Sequence, residues 1–270
     1  MTFQIGAHVD PADPVGHALR IGARNLQTFI GDPQGWKKPV TAYPSGAAGF
    51  RADAAASGLP VYIHAPYVLN VASLNNRVRI PSRKLLQQQL DAAAEVGAVA
   101  LIVHGGHVAK DEDPAIGFDN WRKCVEALDF AVPILIENTA GGSNAMARHL
   151  ENIDRLWAAI STASGFEHVG FCLDTCHAHA AGIDLPGLTE RVRAITGRIG
   201  LVHVNDSRDR AGSGADRHAN LGKGTIDPLH LLEVCVTAEA PLLIETHGSE
   251  ADEAADITWL AERLGAFEAD

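Results

Sequence analysis

Short runs of consecutive apolar residues, each closed by glycine, proline or a polar residue, alternate along the chain with longer stretches in which apolar residues recur every three or four positions. Eight of the short runs read as strands: Phe3 to His8, Asn25 to Ile30, Pro60 to His64, Val99 to His104, Pro133 to Glu137, Val169 to Asp174, Leu201 to Asn205 and Pro241 to Glu245. They are apolar at nearly every position, as in Val-Ala-Leu-Ile-Val and Pro-Ile-Leu-Ile, which is the pattern of a parallel sheet covered on both faces. The intervening stretches carry one apolar stripe each. Ser82 to Val96 places Leu85, Leu86, Leu90, Ala93 and Ala94 on one face, and Asp252 to Leu264 does the same with Ile257, Leu260 and Leu264. Eight units in 270 residues leave about 34 residues for each, which is what one strand, one helix and two loops consume. The pattern predicts an α/β fold, a TIM (β/α)8 barrel forming a single domain over residues 1–270, with a doubly wound open sheet as the alternative that unit counting leaves open. The glycine-rich stretches at Gly141-Gly142 and Gly212 to Gly224 are too short for linkers and fall where loops should leave strand ends.

A hydrophobic content of 46% with 20% charged residues supports a sizeable core. No apolar run approaches the roughly 18 residues of a membrane span, and the chain enters Phe3-Gln4-Ile5-Gly6-Ala7-His8 without a basic-then-apolar leader, so a soluble cytoplasmic protein is expected. Cys124, Cys172, Cys176 and Cys235 form no CxxC pair and read as reduced thiols. The net charge of -11 excludes a protein that coats nucleic acid with its whole surface, while leaving room for a local basic site. Thirteen histidines change the picture, because imidazole is both a common metal ligand and the acid or base that switches near neutral pH.

Apart from strand one, which closes on His8, six of the eight predicted strands carry a histidine or carboxylate suited to a metal at or near their C-terminal ends: His64, His104, Glu137, Asp174, His203 and Glu245. In a barrel those ends converge on one mouth. Three loop residues join them. His177 stands one helical turn beyond Asp174, and Asp216 and His218 are two apart, so an extended backbone points them the same way. Singly, each has a structural use: His64 as a hydrogen-bonded core group, Asp174 or Glu137 as a helix cap. Together, five imidazoles and four carboxylates in one half-buried mouth would repel and go unpaired unless cations joined them. Nine donors suit three ions with one carboxylate bridging two of them; the nitrogen and carboxylate set favours Zn²⁺, with Mn²⁺ and Fe²⁺ compatible. Three divalent ions outweigh four carboxylates, leaving a site that attracts anions, and clustered divalent ions suit phosphodiester hydrolysis. His8, His17, His149, His168, His179, His230 and His247 read as structural or exposed, and Cys172 and Cys176 as too sulfur-rich a choice for this donor set. G-x-G-x-x-G, Walker, G-x-S-x-G and H-E-x-x-H signatures are missing from the sequence.

The ordered motifs Ile5-Gly6-Ala7-His8-Val9, His64-Ala65-Pro66-Tyr67, Glu137-Asn138-Thr139-Ala140-Gly141, Leu173-Asp174-Thr175-Cys176-His177-Ala178, His203-Val204-Asn205-Asp206-Ser207, Asp216-Arg217-His218 with Leu221-Gly222, and Leu243-Ile244-Glu245-Thr246 resemble the endonuclease IV family of apurinic/apyrimidinic DNA endonucleases along essentially the whole chain. The resemblance implies a TIM barrel with three zinc ions that cleaves double-stranded DNA on the 5′ side of an abasic site, leaving a 3′-hydroxyl, with the chain acting as a monomer. It places His64, His104 and Glu137 around one ion, with Glu137 bridging to a second held by Asp174, His203 and Glu245. His177, Asp216 and His218 hold the third. Glu137 and Glu245 position or deprotonate the attacking water. It implies DNA contacts as well: Tyr67 filling the gap in the base stack, and Gln34 where the family often offers an arginine. His107, in His104-Gly105-Gly106-His107, is a weaker candidate beside the ligands. Arg77, Arg79, Arg208, Arg217 and Lys223, with Lys37, Lys38, Arg83, Lys84 and Arg210, are candidate phosphate contacts, all but Arg83 and Lys84 expected in strand-end loops. The competing expectations are a metal-dependent sugar isomerase or epimerase on the same barrel, which would not require the His177, Asp216 and His218 group, and a non-catalytic zinc-bound binder of abasic DNA.

Overall fold

The computed structural model describes residues 3–267. Its wall is a closed ring of parallel strands: β1 (Ile5–His8), β2 (Leu26–Phe29), β3 (Val61–His64), β4 (Ala100–His104), β5 (Ile134–Glu137), β6 (Val169–Asp174) and β7 (Ile199–His203), closed by the last strand to enter the wall. Between β7 and that strand, β8 (Asp206–Ser207) and β9 (His218–Ala219) form a separate antiparallel pair, and β10 (Leu242–Ile244) then sits between β7 and β1. The outer layer consists of α1 (Pro14–Ile21), α2 (Gly46–Ala56), α3 (Asn76–Glu95), α4 (Pro114–Val125), α5 (Leu150–Ile160), α6 (Thr175–Ala181), α7 (Leu188–Thr196), α8 (Pro228–Thr237) and α9 (Glu250–Phe267). The ring is the predicted (β/α)8 barrel rather than an open sheet. No helix among the described residues is long and apolar enough to cross a membrane.

Strand alternation builds the mouth. Tyr62, Ile102, Leu135, Cys172, Leu201 and Leu243 belong to a cluster inside the ring that is separate from the larger core between wall and helices. Two residues further along each strand, on the same side of the pleat, stand His64, His104, Glu137, Asp174, His203 and Glu245. An apolar layer therefore plugs the barrel, and a layer of donors lies directly above it. The register aligns them: His104 pairs with Glu137, and Asp174 with His203.

Boundaries differ from the sequence pattern in two informative places. Strand seven is not Leu201 to Asn205 but begins at Ile199 and ends at His203, because the Asn205 N–H leaves the ladder and donates to Thr175 Oγ1 (2.9 Å). Gly200 looks like a strand breaker, yet it is required by packing: a Cβ there, or at Gly170, would lie 2.7 Å from Leu135 Cδ2. Helix α3 starts at Asn76 rather than Ser82, since Asn75 caps it by accepting from the Arg77 N–H (2.9 Å), and Pro81 sits inside it. The ring of Pro81 holds a helical φ while removing one backbone donor. Arg77 and Arg79 are therefore on a helix, not in a strand-end loop.

Candidate metal centre

Glu137 is the hub. Its Oε2 is 3.2 Å from His64 Nε2 and 3.3 Å from His104 Nε2, and its Oε1 is 3.2 Å from both His203 Nδ1 and His177 Nδ1. Glu245 Oε2 is also 3.2 Å from His203 Nδ1. Across the mouth, Asp216 Oδ1 stands 3.1 Å from His177 Nε2 and 3.2 Å from His218 Nε2. Asp174 does two jobs at once: Oδ1 caps α6 by accepting from the His177 N–H (2.6 Å), while Oδ2 faces His218 Nε2 at 3.8 Å.

Potential ligand atoms within 4.8 Å of one another fall into the groups His64–His104–Glu137, Glu137–Asp174–His203–Glu245 and Asp174–His177–His218. These groups hold eight of the nine sequence-predicted donors, with Glu137 and Asp174 each common to two, and the ninth, Asp216, stands beside the third through its contacts with His177 and His218. The structure adds one association the sequence pattern did not favour, Cys176 with Asp216 and His218. Burial, with the nearby Asp174 carboxylate, pushes the Cys176 thiol up to about 12, so without an ion beside it the thiol is protonated at neutral pH. His107 is exposed, its backbone N–H and carbonyl bonded to the Asn70 side chain, and it joins none of these groups.

The donor set fits divalent ions on its hydrogen bonding. His177 Nε2 and His218 Nε2 are buried and make no hydrogen bond, although both face the same carboxylate oxygen at bonding range. Each of those rings is tied down through its other nitrogen: His177 Nδ1 to Asn138 O (2.8 Å) and His218 Nδ1 to Glu245 O (3.2 Å). His64 Nδ1 likewise donates to Ala65 O (2.7 Å), leaving Nε2 toward Glu137. Ligating histidines are oriented in this way, one N–H to a carbonyl and the bare nitrogen to the ion.

Electrostatics agree. Burial works against ionisation of Glu137, yet the His203 and His104 imidazoles outweigh it and hold the carboxyl well below the usual range. Asp174, buried more completely than its histidine neighbours compensate, is pushed up. Burial opposes protonation of His177, but Asp174, Asp216 and Glu137 overcome it and raise the imidazole well above its ordinary value. Acids and bases so perturbed mark a functional centre of tightly coupled imidazoles and carboxylates, a donor set that divalent cations also satisfy.

A family model described as a xylose isomerase-like TIM barrel matches residues 15–263. The probable endonuclease 4 of Mycobacterium marinum is 54% identical over 263 residues, covering 96% of this chain and 98% of the relative. That of Mycobacterium tuberculosis is 53% identical over 264 residues, covering 97% and 99%. The chain belongs to the endonuclease IV family. Among solved structures, endonuclease IV from Thermus thermophilus superposes with a TM-score of 0.82 at 27% identity, covering 97% of this chain and 99% of that one. A D-tagatose 3-epimerase-like protein reaches a TM-score of 0.81 at 18% identity over 99% of each chain, a likeness of fold alone.

The residues considered for DNA contact separate in the structure of this endonuclease IV family member. Tyr67 is 48% exposed and its ring packs against Phe29, His64 and His104 at the rim of a mouth cavity of about 570 Å³. Arg208 and Arg217 line the same cavity, but Arg217 is paired with Asp209 and Arg208 Nε donates to His218 O (2.8 Å). Arg79 is spent on Ser73 O, Leu74 O and Asn76, Arg77 is exposed on α3 without an ion pair among the described residues, and Lys223 is exposed on a turn after β9. Gln34 is exposed in the loop after β2 and is not among the lining residues; Trp36, two residues on, lines the adjoining cavity with Tyr67 and His104.

Four residues of the site were not evident in the sequence. Gln27 Nε2 donates to Glu245 Oε1 (2.6 Å) while its Oε1 accepts from His203 Nε2 (2.9 Å). Asn138 accepts from the Asp174 N–H (2.7 Å), and Asn205 Nδ2 donates to Asp174 Oδ2 (2.7 Å). Asp206, fully buried, accepts from the backbone N–H groups of Ser207, Gly222, Gly224 and Ile226 and so shapes the hairpin that carries Asp216 and His218.

Proposed function

We propose that this protein is a metal-dependent endonuclease of DNA base excision repair that hydrolyses the phosphodiester 5′ to an abasic site and leaves a 3′-hydroxyl, working as a monomer on double-stranded DNA with three zinc ions. The observation that carries this is the convergence of five histidines and four carboxylates on one barrel mouth in a chain of the endonuclease IV family. His64, His104 and Glu137 would hold one ion, Glu137, Asp174, His203 and Glu245 a second, and His177, Asp216 and His218 a third, with Mn²⁺ or Fe²⁺ able to replace zinc in part. When bound, such ions acidify water and neutralise charge on phosphoryl oxygens.

The protein's own groups divide the remaining work. Glu137 is enclosed by imidazoles on both oxygens, which suits bridging. Glu245 has an open side toward the cavity, and, although burial opposes it, the His203 imidazole holds its carboxyl below the usual range; it is therefore ionised and placed to accept a proton from the attacking water. Tyr67 presents a half-exposed ring at the rim, where it can stack in the space left by a displaced nucleotide.

A nicking assay on a duplex with one abasic site tests this. Cleavage is expected, lost on exhaustive chelation, restored by zinc, and reduced by at least about a thousandfold in Glu137→Gln, in the range for loss of a group central to a metal-assisted site. Cleavage that persists without metal overturns the mechanism. The sugar isomerase reading is favoured by the fold likeness alone; it predicts ketose turnover and no need for His218, so a His218→Ala variant that keeps full activity on a sugar would support it. A non-catalytic binder would hold abasic duplex without nicking it when fully metallated.

A further inference from the structure

Among the described residues, the ends of β1 and β2, His8 and Phe29, belong to none of the donor clusters. They stand side by side on one arc of the mouth, the Phe29 ring 4.6 Å from that of His8, 5.5 Å from His64 and 5.4 Å from Tyr67. His8 and Phe29 both line the 570 Å³ cavity, and the His8 side chain keeps 20% of its surface open.

The proton on His8 can be placed by following one glutamine. The Gln27 atom 2.6 Å from Glu245 Oε1 has to be the amide nitrogen, because an ionised carboxylate only accepts. The other end of the amide is then the oxygen, which accepts from His203 Nε2 (2.9 Å), while His203 Nδ1 faces Glu137 and Glu245. The second amide hydrogen points to His8 Nδ1 at 2.9 Å, which must accept it. A neutral imidazole that accepts at Nδ1 carries its proton on Nε2. Among the described residues His8 makes its hydrogen bond through Nδ1, so Nε2–H remains for whatever enters the cavity.

We propose that His8 is a substrate-contacting residue whose Nε2–H donates to an oxygen of the deoxyribose of the nucleotide seated on Phe29. This rests on the abasic-DNA reading above. The arc offers an apolar ring face and a single donor, enough to hold a sugar and too little to read the edge of a base, so it helps select a nucleotide from which the base is missing. Gln27 acts as a positioning residue by fixing which nitrogen of His8 carries the proton.

His8→Phe keeps a ring and removes the donor; His8→Gln puts an amide nitrogen near the place of Nε2. The readouts are kcat/KM for nicking of an abasic duplex, Kd for an intact duplex, and metal content per chain. His8→Phe is expected to lose about 10- to 100-fold in kcat/KM, as removal of one hydrogen bond to a buried polar group does, while its Kd for intact duplex stays within about twofold and its metal content is unchanged. His8→Gln is expected to recover most of the loss. The proposal is overturned if His8→Phe nicks as well as the parent, if it weakens intact-duplex binding equally, if it loses metal, or if His8→Gln is no better than His8→Phe. A parent protein that never nicks abasic DNA rejects the functional reading, and this inference with it.

Discussion

At the scale of single residues, uncharged side chains decide which atoms the charged ones present. Gln27 is fully buried and ties His203, Glu245 and His8 through one amide. Replacing it with Leu would leave His203 Nε2 without its partner and free the ring to turn away from the carboxylates that Nδ1 faces. Gln27→Leu is therefore expected to bind its ions about 10- to 100-fold more weakly, the usual cost of losing an outer-shell partner, and its metal-free form to melt lower than the parent, because the buried His203 Nε2–H loses its acceptor. Competition with a chromogenic chelator, alongside thermal melts of both metal-free forms, checks this; unchanged affinity would remove Gln27 from the site. The nine donors were legible because each has an ionisable or imidazole side chain, and six stand at the ends of apolar strands. Gln27, Asn138 and Asn205 lack that signature. The available clue was a glutamine in an otherwise buried strand, Leu26–Phe29, where a polar group needs a partner.

At the scale of elements, the barrel was legible from strand periodicity, whereas the segment between β7 and β10 was not. Gly212 to Gly224 reads as plain loop, yet the chain from Asp206 to Ala219 returns as an antiparallel pair with two residues in each strand, too short for any alternation to show. Its order comes from Asp206. Four backbone N–H groups converge on this carboxylate at 2.7 to 3.1 Å, and Gly224 leaves room for the approach, since a Cβ there would lie 2.3 Å from Asp206 Oδ1. Asp206→Ala would orphan the buried Ser207 and Ile226 N–H groups and release those of Gly222 and Gly224 to solvent, at a cost of roughly 3 kcal/mol, because hydrogen bonds to a charged group are the strong ones and orphaned buried donors add their own penalty. Asp216 and His218 ride on the same segment. On the three-ion reading proposed above, the variant is expected to hold two ions per chain instead of three, with the other six donors undisturbed; elemental analysis together with a denaturant midpoint measures both effects. An unshifted midpoint with three ions retained would show that the hairpin is held by something else. Helix α3 makes a similar point, because its apolar stripe shows only from Ser82, whereas the helix starts at Asn76, capped by Asn75, and carries Pro81 inside it.

For the whole molecule, charge and pH bind the site to stability and to DNA. Burial alone would lower His218, but Asp216, Asp174 and Glu245 outweigh it and raise the imidazole to about 9 from an ordinary 6.5. A folded state that holds its proton more tightly than the unfolded one is stabilised below 6.5, and that contribution is withdrawn as pH climbs through about 9. The metal-free protein is thus expected to melt progressively lower across this interval, while the metal-loaded protein, whose ligands must be deprotonated, gains relative to it; a melting-temperature difference between the two forms that stays flat with pH would contradict this. DNA approach depends on the few cations not already paired, since the chain carries a net -11. Lys38, Arg77 and Lys84 line a cavity of about 520 Å³ with Trp36, without a carboxylate among its lining residues. Trp36 also borders the cavity that reaches Tyr67 and His104, so a phosphate track can run from these cations to the metal mouth. Each phosphate neutralised contributes about one unit to the slope of log affinity against log salt. Arg77→Ala with Lys84→Ala is expected to weaken duplex binding irrespective of sequence and to flatten that slope by about two. Arg217→Ala, whose guanidinium is already held by Asp209, should change it far less. Anisotropy titrations across a range of salt concentrations separate the two variants, and equal slopes for both would place the track elsewhere.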